Sequence, residues 1–133
     1  MSAGLYELFK DAGFDPDFTA GHSFGELTAL WAAGALNDAD YVSLVRARGK
    51  AMAPPSNAAE FDAGTMLAVT GDVSNLATDI ASMPDVKIAN NNSPRQVVLA
   101  GPKQAIAQAE TALKSKGYNV VALTVAAAFH TPL

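Results

Sequence analysis

Apolar and polar positions alternate along this chain in two different rhythms, one in each half. In the first half the rhythm is helical. Leu5, Leu8 and Phe9 recur at helical spacing in "AGLYELFKDAG" (3–13), with Gly13 where a helix would stop. "FGELTALWAAG" (24–34) predicts a second helix ending at Gly34. Asn37 or Asp38 then caps a third over "ADYVSLVRARGKAM" (39–52), closed by Pro54 and Pro55. The short stretch "DFTAGH" (17–22) between the first two has the length and character of a buried strand.

Residues 56–63 look like a linker, and a strand-rich pattern follows. "TMLAVTG" (65–71) predicts a strand, and "DVSNLATDIASM" (72–83) a capped helix. "VKIANN" (86–91) and "QVVLAG" (96–101) read as strands joined by the turn "NSPR". "KQAIAQAETALKSKG" (103–117) is an amphipathic helix with Ile106, Ala109 and Leu113 on one face, and "NVVALTV" (119–125) is a last strand. The order β-α-β-β-α-β is that of the split βαβ, or ferredoxin-like, arrangement.

Composition narrows the chemistry. Of 133 residues, 50% are hydrophobic and 17% charged, which is a globular balance. The net charge of −4 and the absence of a basic stripe argue against nucleic acid. Without cysteine there is no disulfide, thiolate or Cys-ligated metal, and two histidines make a poor metal site. No apolar run has the length of a membrane span, and no secretory leader precedes the first helix, so the expected location is cytoplasmic.

One short stretch carries candidate chemistry. "GHSFG" (21–25) fits G-x-S-x-G, in which a serine sits on a sharp turn between a strand and a helix. Glycines at 21 and 25 would remove β-carbons that clash in such a turn. Ser23 would then stand at the head of a helix, where the dipole and the Phe24 backbone N–H favour a developing oxyanion. The plain alternative is a Gly-Ser helix start without chemistry. A nucleophilic serine needs a base. His22 is adjacent, and its side chain should diverge from that of Ser23, which suits turn support or packing. His130, just past the last strand, is the remaining imidazole, and serine before histidine is the chain order of α/β-hydrolases. No acidic residue follows His130, so any group orienting it is a residue from elsewhere or a backbone carbonyl.

A helical wheel of residues 39–52 exposes one anomaly. Tyr41, Leu44, Val45 and Met52 gather on one side, while Arg46 and Lys50 point away. Arg48 falls within the apolar stripe. An inward guanidinium needs partners. These are either an internal carboxylate, Glu26 or Asp38, or a carboxylate on a substrate gripped beside the serine.

Together "GHSFGE" (21–26), "RGKAM" (48–52), "NNNSPRQVVLAG" (90–101) and "AFHTPL" (128–133) resemble the acyltransferase domain of fatty acid and polyketide synthases, the malonyl-CoA:acyl carrier protein transacylase family. Within it the chain looks most like the acyltransferase of bacterial polyunsaturated fatty acid synthases. The resemblance implies that Ser23 is the acyl-carrying nucleophile and His130 its base, oriented by backbone carbonyls. It implies that Arg48 binds the free carboxylate of malonyl and that Phe129 accompanies malonyl selectivity, with Ala127 standing where the family often has another histidine. It places Asn90 and Asn92 in a loop near the pocket. It also implies sequence outside these residues, a Gly-Gln-Gly strand upstream and helices past the histidine, so that the chain corresponds to a fragment. The expected organisation is a partial α/β-hydrolase-like nucleophile-elbow region (1–59), a ferredoxin-like subdomain (60–128), and a truncated return segment carrying the histidine (129–133).

The activity so implied is transfer of malonyl, or another acyl group, from CoA to an acyl carrier protein domain among neighbouring synthase domains. CoA thioester and phosphopantetheine thiol would be substrates, with no permanently bound cofactor and no metal. Lys114 and Lys116, at a helix end, are either carrier-docking charges or ordinary solvated ones. The rival expectations are thioester hydrolysis, if water reaches the acyl-serine, and a non-catalytic folded piece whose apolar faces drive homo-oligomerisation.

Overall fold

A computed structural model of the chain describes residues 2–53 and 61–133. Its internal contacts divide the chain into two units, Met1–Ala53 and Pro54–Leu133. The expected helix stop at Pro54 and Pro55, and linker residues 56–60, lie outside the described residues.

The first unit is three helices, α1 (Ser2–Asp11), α2 (Gly25–Ala32) and α3 (Asp38–Met52). Asn37 caps α3, its side chain accepting from the Asp40 amide at 2.9 Å, and Asp38 and Asp40 place negative charge in the first turn. Aromatic contacts tie the helices together. Tyr6 meets Trp31 edge-on at 5.4 Å between ring centroids, and Trp31 stacks on Tyr41 at 5.0 Å. The Tyr6 hydroxyl donates to the Ala32 carbonyl, the Trp31 indole N–H donates to Asp38, and the Thr28 and Tyr41 hydroxyls share a hydrogen bond.

Two expectations for this unit are corrected. Residues 17–22 form no strand, and Phe18 is 93% exposed. A strand needs a ladder partner, and the described residues of this unit contain none. Likewise the stripe of Leu5, Leu8 and Phe9 is exposed and α1 buries no residue, because Thr28 is the one buried side chain among the described residues of the unit. On α3, Leu44 is also exposed, and the half-buried face runs through Tyr41, Val45, Arg48 and Met52.

The second unit is a mixed α/β structure built on a small antiparallel sheet. Its elements are β1 (Thr65–Thr70), α4 (Leu76–Asp79), β2 (Lys87–Ser93), β3 (Gln96–Gly101), α5 (Lys103–Ser115) and β4 (Asn119–Leu123). The strands lie in the order β2-β3-β1-β4, with Leu67 opposite Leu99 and Ala122, and Ala68 opposite Val98 and Val121. Alternate side chains serve opposite faces. Leu67, Val69, Val97, Leu99 and Val120 pack with Leu76, Ile80, Ile106, Ala109 and Leu113 of the helices. Met66, Val98 and Ala100 pack with Ala128 on the other face. Burial on both faces explains why "MLAV" (66–69) is continuously apolar rather than alternating.

The helix expected over 72–83 is only one turn long. The Asp72 carboxylate accepts from the Ser74 amide at 3.0 Å, so residues 72–74 form a local turn and the helix starts only at Leu76. Strand β2 runs on to Ser93, giving a two-residue turn at Pro94 and Arg95. Its pairing with β3 is irregular between Ile88 and Asn90 and again between Asn91 and Ser93.

Two tight approaches fix the segments that matter below. A β-carbon on Gly21 would lie 2.2 Å from the Gly25 carbonyl carbon and 2.3 Å from the Glu26 nitrogen, so only glycine fits there. Gly25, expected to share that duty, does not, since a β-carbon there would meet nothing within 4 Å. In the second unit Gly64 has φ +74, and a β-carbon there would lie 2.5 Å from both the Ala128 β-carbon and the Gly101 oxygen. Beside it, Asp62 accepts from the Gly64 and Lys103 amides, each at 2.9 Å, joining the entry of β1 to the first turn of α5.

Gly21→Ala is expected to destabilise the first unit by about 1–3 kcal/mol through overpacking, while Gly25→Ala changes it by less than about 0.5 kcal/mol. Urea unfolding of the two variants, with amide exchange at Glu26, checks the contrast, and equal effects would refute it. A second prediction concerns pH. The amides of Gly64 and Lys103 hold the Asp62 carboxyl below its ordinary value of 3.8. Hydrogen bonds from Ser74 do the same for Asp72, and those from Lys116 and Tyr118 for Asp79. These carboxylates therefore stabilise the second unit above that ordinary value, and the contribution is lost as pH falls below it through their lowered folded-state values. The urea midpoint of this unit should hold steady down to about pH 5 and decline below about pH 4. Asp62→Ala should lower the midpoint at neutral pH and flatten the decline, whereas an unchanged acid limb would refute the assignment.

Candidate active site

Ser23 stands at the turn that leads into α2. Its backbone is left-handed, with φ +54. Among the described residues only Ser23 and His130 are non-glycines with positive φ, so this strained conformation falls on the two residues that the sequence offers as nucleophile and base. Such a conformation costs on the order of 1–3 kcal/mol and persists only where the surroundings enforce it. At Ser23 they do. Gly21 lets the chain fold back on Gly25 and Glu26, and the Gly25 and Glu26 amides donate to the His22 and Ser23 carbonyls at 3.0 and 3.1 Å. His22 thus supports the turn through its backbone, and its side chain is exposed.

The third support is Arg48. One terminal nitrogen, Nη1, donates to the Ser23 carbonyl at 3.2 Å, and the other, Nη2, donates to Ser23 Oγ at 3.1 Å. Nε donates to Met52 Sδ at 3.3 Å, and the guanidinium carbon lies 5.7 Å from the centre of the Phe24 ring. The internal ion pair considered for Arg48 is not formed with either residue. Asp38 instead accepts from Trp31, and the ion pairs among the described residues are Lys114–Glu110 and Lys116–Asp79. Arg48 is therefore a half-buried cation held by neutral acceptors beside a serine hydroxyl. Phe24 is 43% exposed and covers one side of that cation.

Phe129, His130 and Asn92 belong to the second unit. Ala128 is buried against Met66, Val98 and Ala100, with Phe129 packed on the same cluster. The Ala128 amide donates to the Ala63 carbonyl at 2.7 Å, and Thr131 Oγ1 donates back to the Ala128 carbonyl at 2.7 Å. These contacts frame His130, which has φ +60 and is exposed. Asn92 lies in β2, and its amide nitrogen donates to Gln96 Oε1 at 3.3 Å. Lys114 and Lys116 are each engaged in an ion pair, with Glu110 and Asp79, the latter also accepting from the Tyr118 hydroxyl. That hydrogen bond raises the Tyr118 pKa to about 12.

The structure thus brings Ser23, Phe24 and Arg48 together in the first unit, and Phe129 and His130 in one tight segment of the second. Asp62 and Gly64, the anchors beneath that segment, escape sequence reasoning because they fall at the edge of what reads as a linker. The available signal was the D-x-G spacing, which suits an aspartate bonding to an amide two residues on. Among the described residues no helix is long and apolar enough to cross a membrane, and no cluster of three or more His, Cys, Asp or Glu is placed to hold a metal.

The chain resembles known proteins along nearly its whole length. The chain is 44% identical over 131 residues to a polyunsaturated fatty acid synthase polypeptide of Thraustochytrium, covering 97% of this chain and 4% of that protein. It is 38% identical over 140 residues to the malonyl CoA-acyl carrier protein transacylase of Bacillus subtilis, covering 99% of this chain and 43% of that one. Among solved structures it superposes on the acyltransferase domain of the polyketide synthase PpsC of Mycobacterium tuberculosis. The TM-score is 0.82 and the identity 31%, over 96% of this chain and 37% of that one. The chain thus spans less than half the length of these relatives. The family described as acyl transferase domain matches residues 1–133, the whole of the sequence, and the chain belongs to that family.

Proposed function

We propose that this chain carries the nucleophile, the base and the acyl-carboxylate anchor of an acyltransferase that moves malonyl from CoA to an acyl carrier protein. The observation that carries the reading is the Arg48 guanidinium 3.1 Å from Ser23 Oγ. A fixed cation that close to a nucleophile suits an acyl group whose own carboxylate is one methylene from the reacting carbonyl. Relatives named as malonyl CoA-acyl carrier protein transacylases support the same substrate.

Ser23 Oγ attacks the thioester carbonyl while His130 takes its proton. The oxyanion is met by the Phe24 amide at the head of α2. The carbon–sulfur bond breaks, and His130 returns the proton to the CoA sulfur, leaving malonyl on Ser23. The phosphopantetheine thiol of the carrier then attacks the ester. His130 takes the thiol proton and returns it to Ser23 Oγ as the malonyl thioester leaves. Arg48 holds the distal carboxylate, Phe24 and Phe129 would border the acyl group, and Asn92, in β2 rather than in the expected loop, would flank it. Neighbouring synthase domains would supply the carrier and use its product. No step calls for a metal or redox group.

We read the first unit as part of an α/β-hydrolase-like elbow region and the second as a ferredoxin-like subdomain. The element order β-α-β-β-α-β and strand order β4-β1-β3-β2 support the latter.

Intact mass after incubation with malonyl-CoA should show a malonyl adduct that Ser23→Ala abolishes. Turnover without an adduct would point to hydrolysis, and inertness to both malonyl-CoA and acetyl-CoA would refute the reading. Arg48→Ala should slow acylation by malonyl-CoA about 10- to 100-fold, the loss of one charge-assisted pair. An equal loss with acetyl-CoA would remove Arg48 from carboxylate recognition.

A further inference from the structure

We propose that Arg48 restrains the nucleophile until an acyl carboxylate draws the guanidinium away, so that the substrate's charge releases the serine as well as binding beside it. The inference rests on the acyl-serine reading above and deepens it.

Nη2 of Arg48 donates to Ser23 Oγ. A hydroxyl oxygen has two lone pairs, and attack on a carbonyl carbon needs one of them. A cationic donor on that oxygen draws its electron density away and occupies one lone pair. A carboxylate is a stronger acceptor for a guanidinium than a neutral hydroxyl, and it can accept from two N–H groups at once. An arriving malonyl group therefore outcompetes Oγ for Nη2. The Nη1 bond to the Ser23 carbonyl is a pivot that can persist, so the strained turn keeps its support while the hydroxyl is freed. Among the described residues the movement meets weak opposition: Nε donates to the thioether of Met52, a weak acceptor, the Phe24 ring lies 5.7 Å from the guanidinium carbon, and Arg48 is half-exposed. An acyl group without a carboxylate offers no competing acceptor and leaves Arg48 on Oγ. Selectivity then has two parts, attraction of the charged acyl group and failure of uncharged ones to release the nucleophile.

Linkage makes this measurable without turnover. If Oγ and a carboxylate compete for one guanidinium, removing Oγ tightens carboxylate binding. Malonate binding to the chain, followed by calorimetry and by the arginine Nε signal in 15N spectra, should be about 5- to 10-fold tighter in Ser23→Ala than in the unaltered chain, the worth of one hydrogen bond. Arg48→Ala should not bind it. Equal or weaker binding to Ser23→Ala, still lost in Arg48→Ala, overturns the restraint while leaving carboxylate recognition intact. Absence of binding to both the unaltered chain and Ser23→Ala overturns the restraint together with the reading beneath it. A kinetic arm separates restraint from mere anchoring. Arg48→Ala should be acylated by acetyl-CoA several-fold faster than the unaltered chain, and an unchanged or slower rate counts against release.

Discussion

A serine held at φ +54 is a local minimum only because its neighbours leave it no better place, and the proposed chemistry depends on that constraint. The Gly21 backbone lies so near Gly25 and Glu26 that no side chain fits between them. That approach sets the start of α2 and turns the Ser23 carbonyl toward the Glu26 amide and toward Arg48 Nη1. With two donors on its carbonyl, the residue cannot relax to an ordinary conformation without breaking both bonds. The hydroxyl is thereby placed at a helix head, where an oxyanion would find backbone N–H groups and the positive end of the dipole. Sequence, strain and electrostatics converge on one side chain.

The second unit positions its histidine by another route. His130 follows strand β4 rather than heading a helix, and the segment is fixed by what lies under it. Ala128 fits against the bare α-carbon of Gly64 and donates to Ala63, and Thr131 closes the turn from the other side. Gly64 is in turn set by Asp62, whose carboxylate also holds the first turn of α5. A sheet face of Met66, Val98 and Ala100 completes the seat. Rigidity in the core is thus carried through Asp62, Gly64 and Ala128 to an exposed imidazole.

How legible each part was in the sequence follows from the range of the forces involved. Helix α5 was plain because Ile106, Ala109 and Leu113 bury one continuous stripe, and β1 was plain because both its faces are covered. Helix α4 was not. Its twelve-residue pattern "DVSNLATDIASM" satisfies helical spacing, but Asp72 commits its carboxylate to a turn, a competition between side chain and backbone that periodicity does not register. The stretch 17–22 misled for the opposite reason, since strand character is a property of a ladder and not of a segment. In the site, Ser23 and His130 were legible as residue types at a motif and at a chain order. Their left-handed backbones were not, because nothing in the residues serine and histidine demands positive φ. Arg48 was legible as an anomaly on the wheel, while its partner was not, since a helical wheel gives direction but not what lies along it.

Arg48 also shows why this position calls for a guanidinium rather than a charge alone. A lysine ammonium could reach Ser23 Oγ or the Ser23 carbonyl, but it is a point donor on a flexible stem. The planar fork reaches both atoms from fixed geometry and lays a face over Phe24, so one residue both supports the turn and touches the Ser23 hydroxyl. Its acceptors among the described residues are a carbonyl, a hydroxyl and a thioether, none of them anionic. Burying half of a cation against neutral groups is a poor arrangement for stability alone, because a carboxylate would compensate the lost hydration better. A malonyl group, the proposed substrate, would bring such a carboxylate beside the Ser23 hydroxyl.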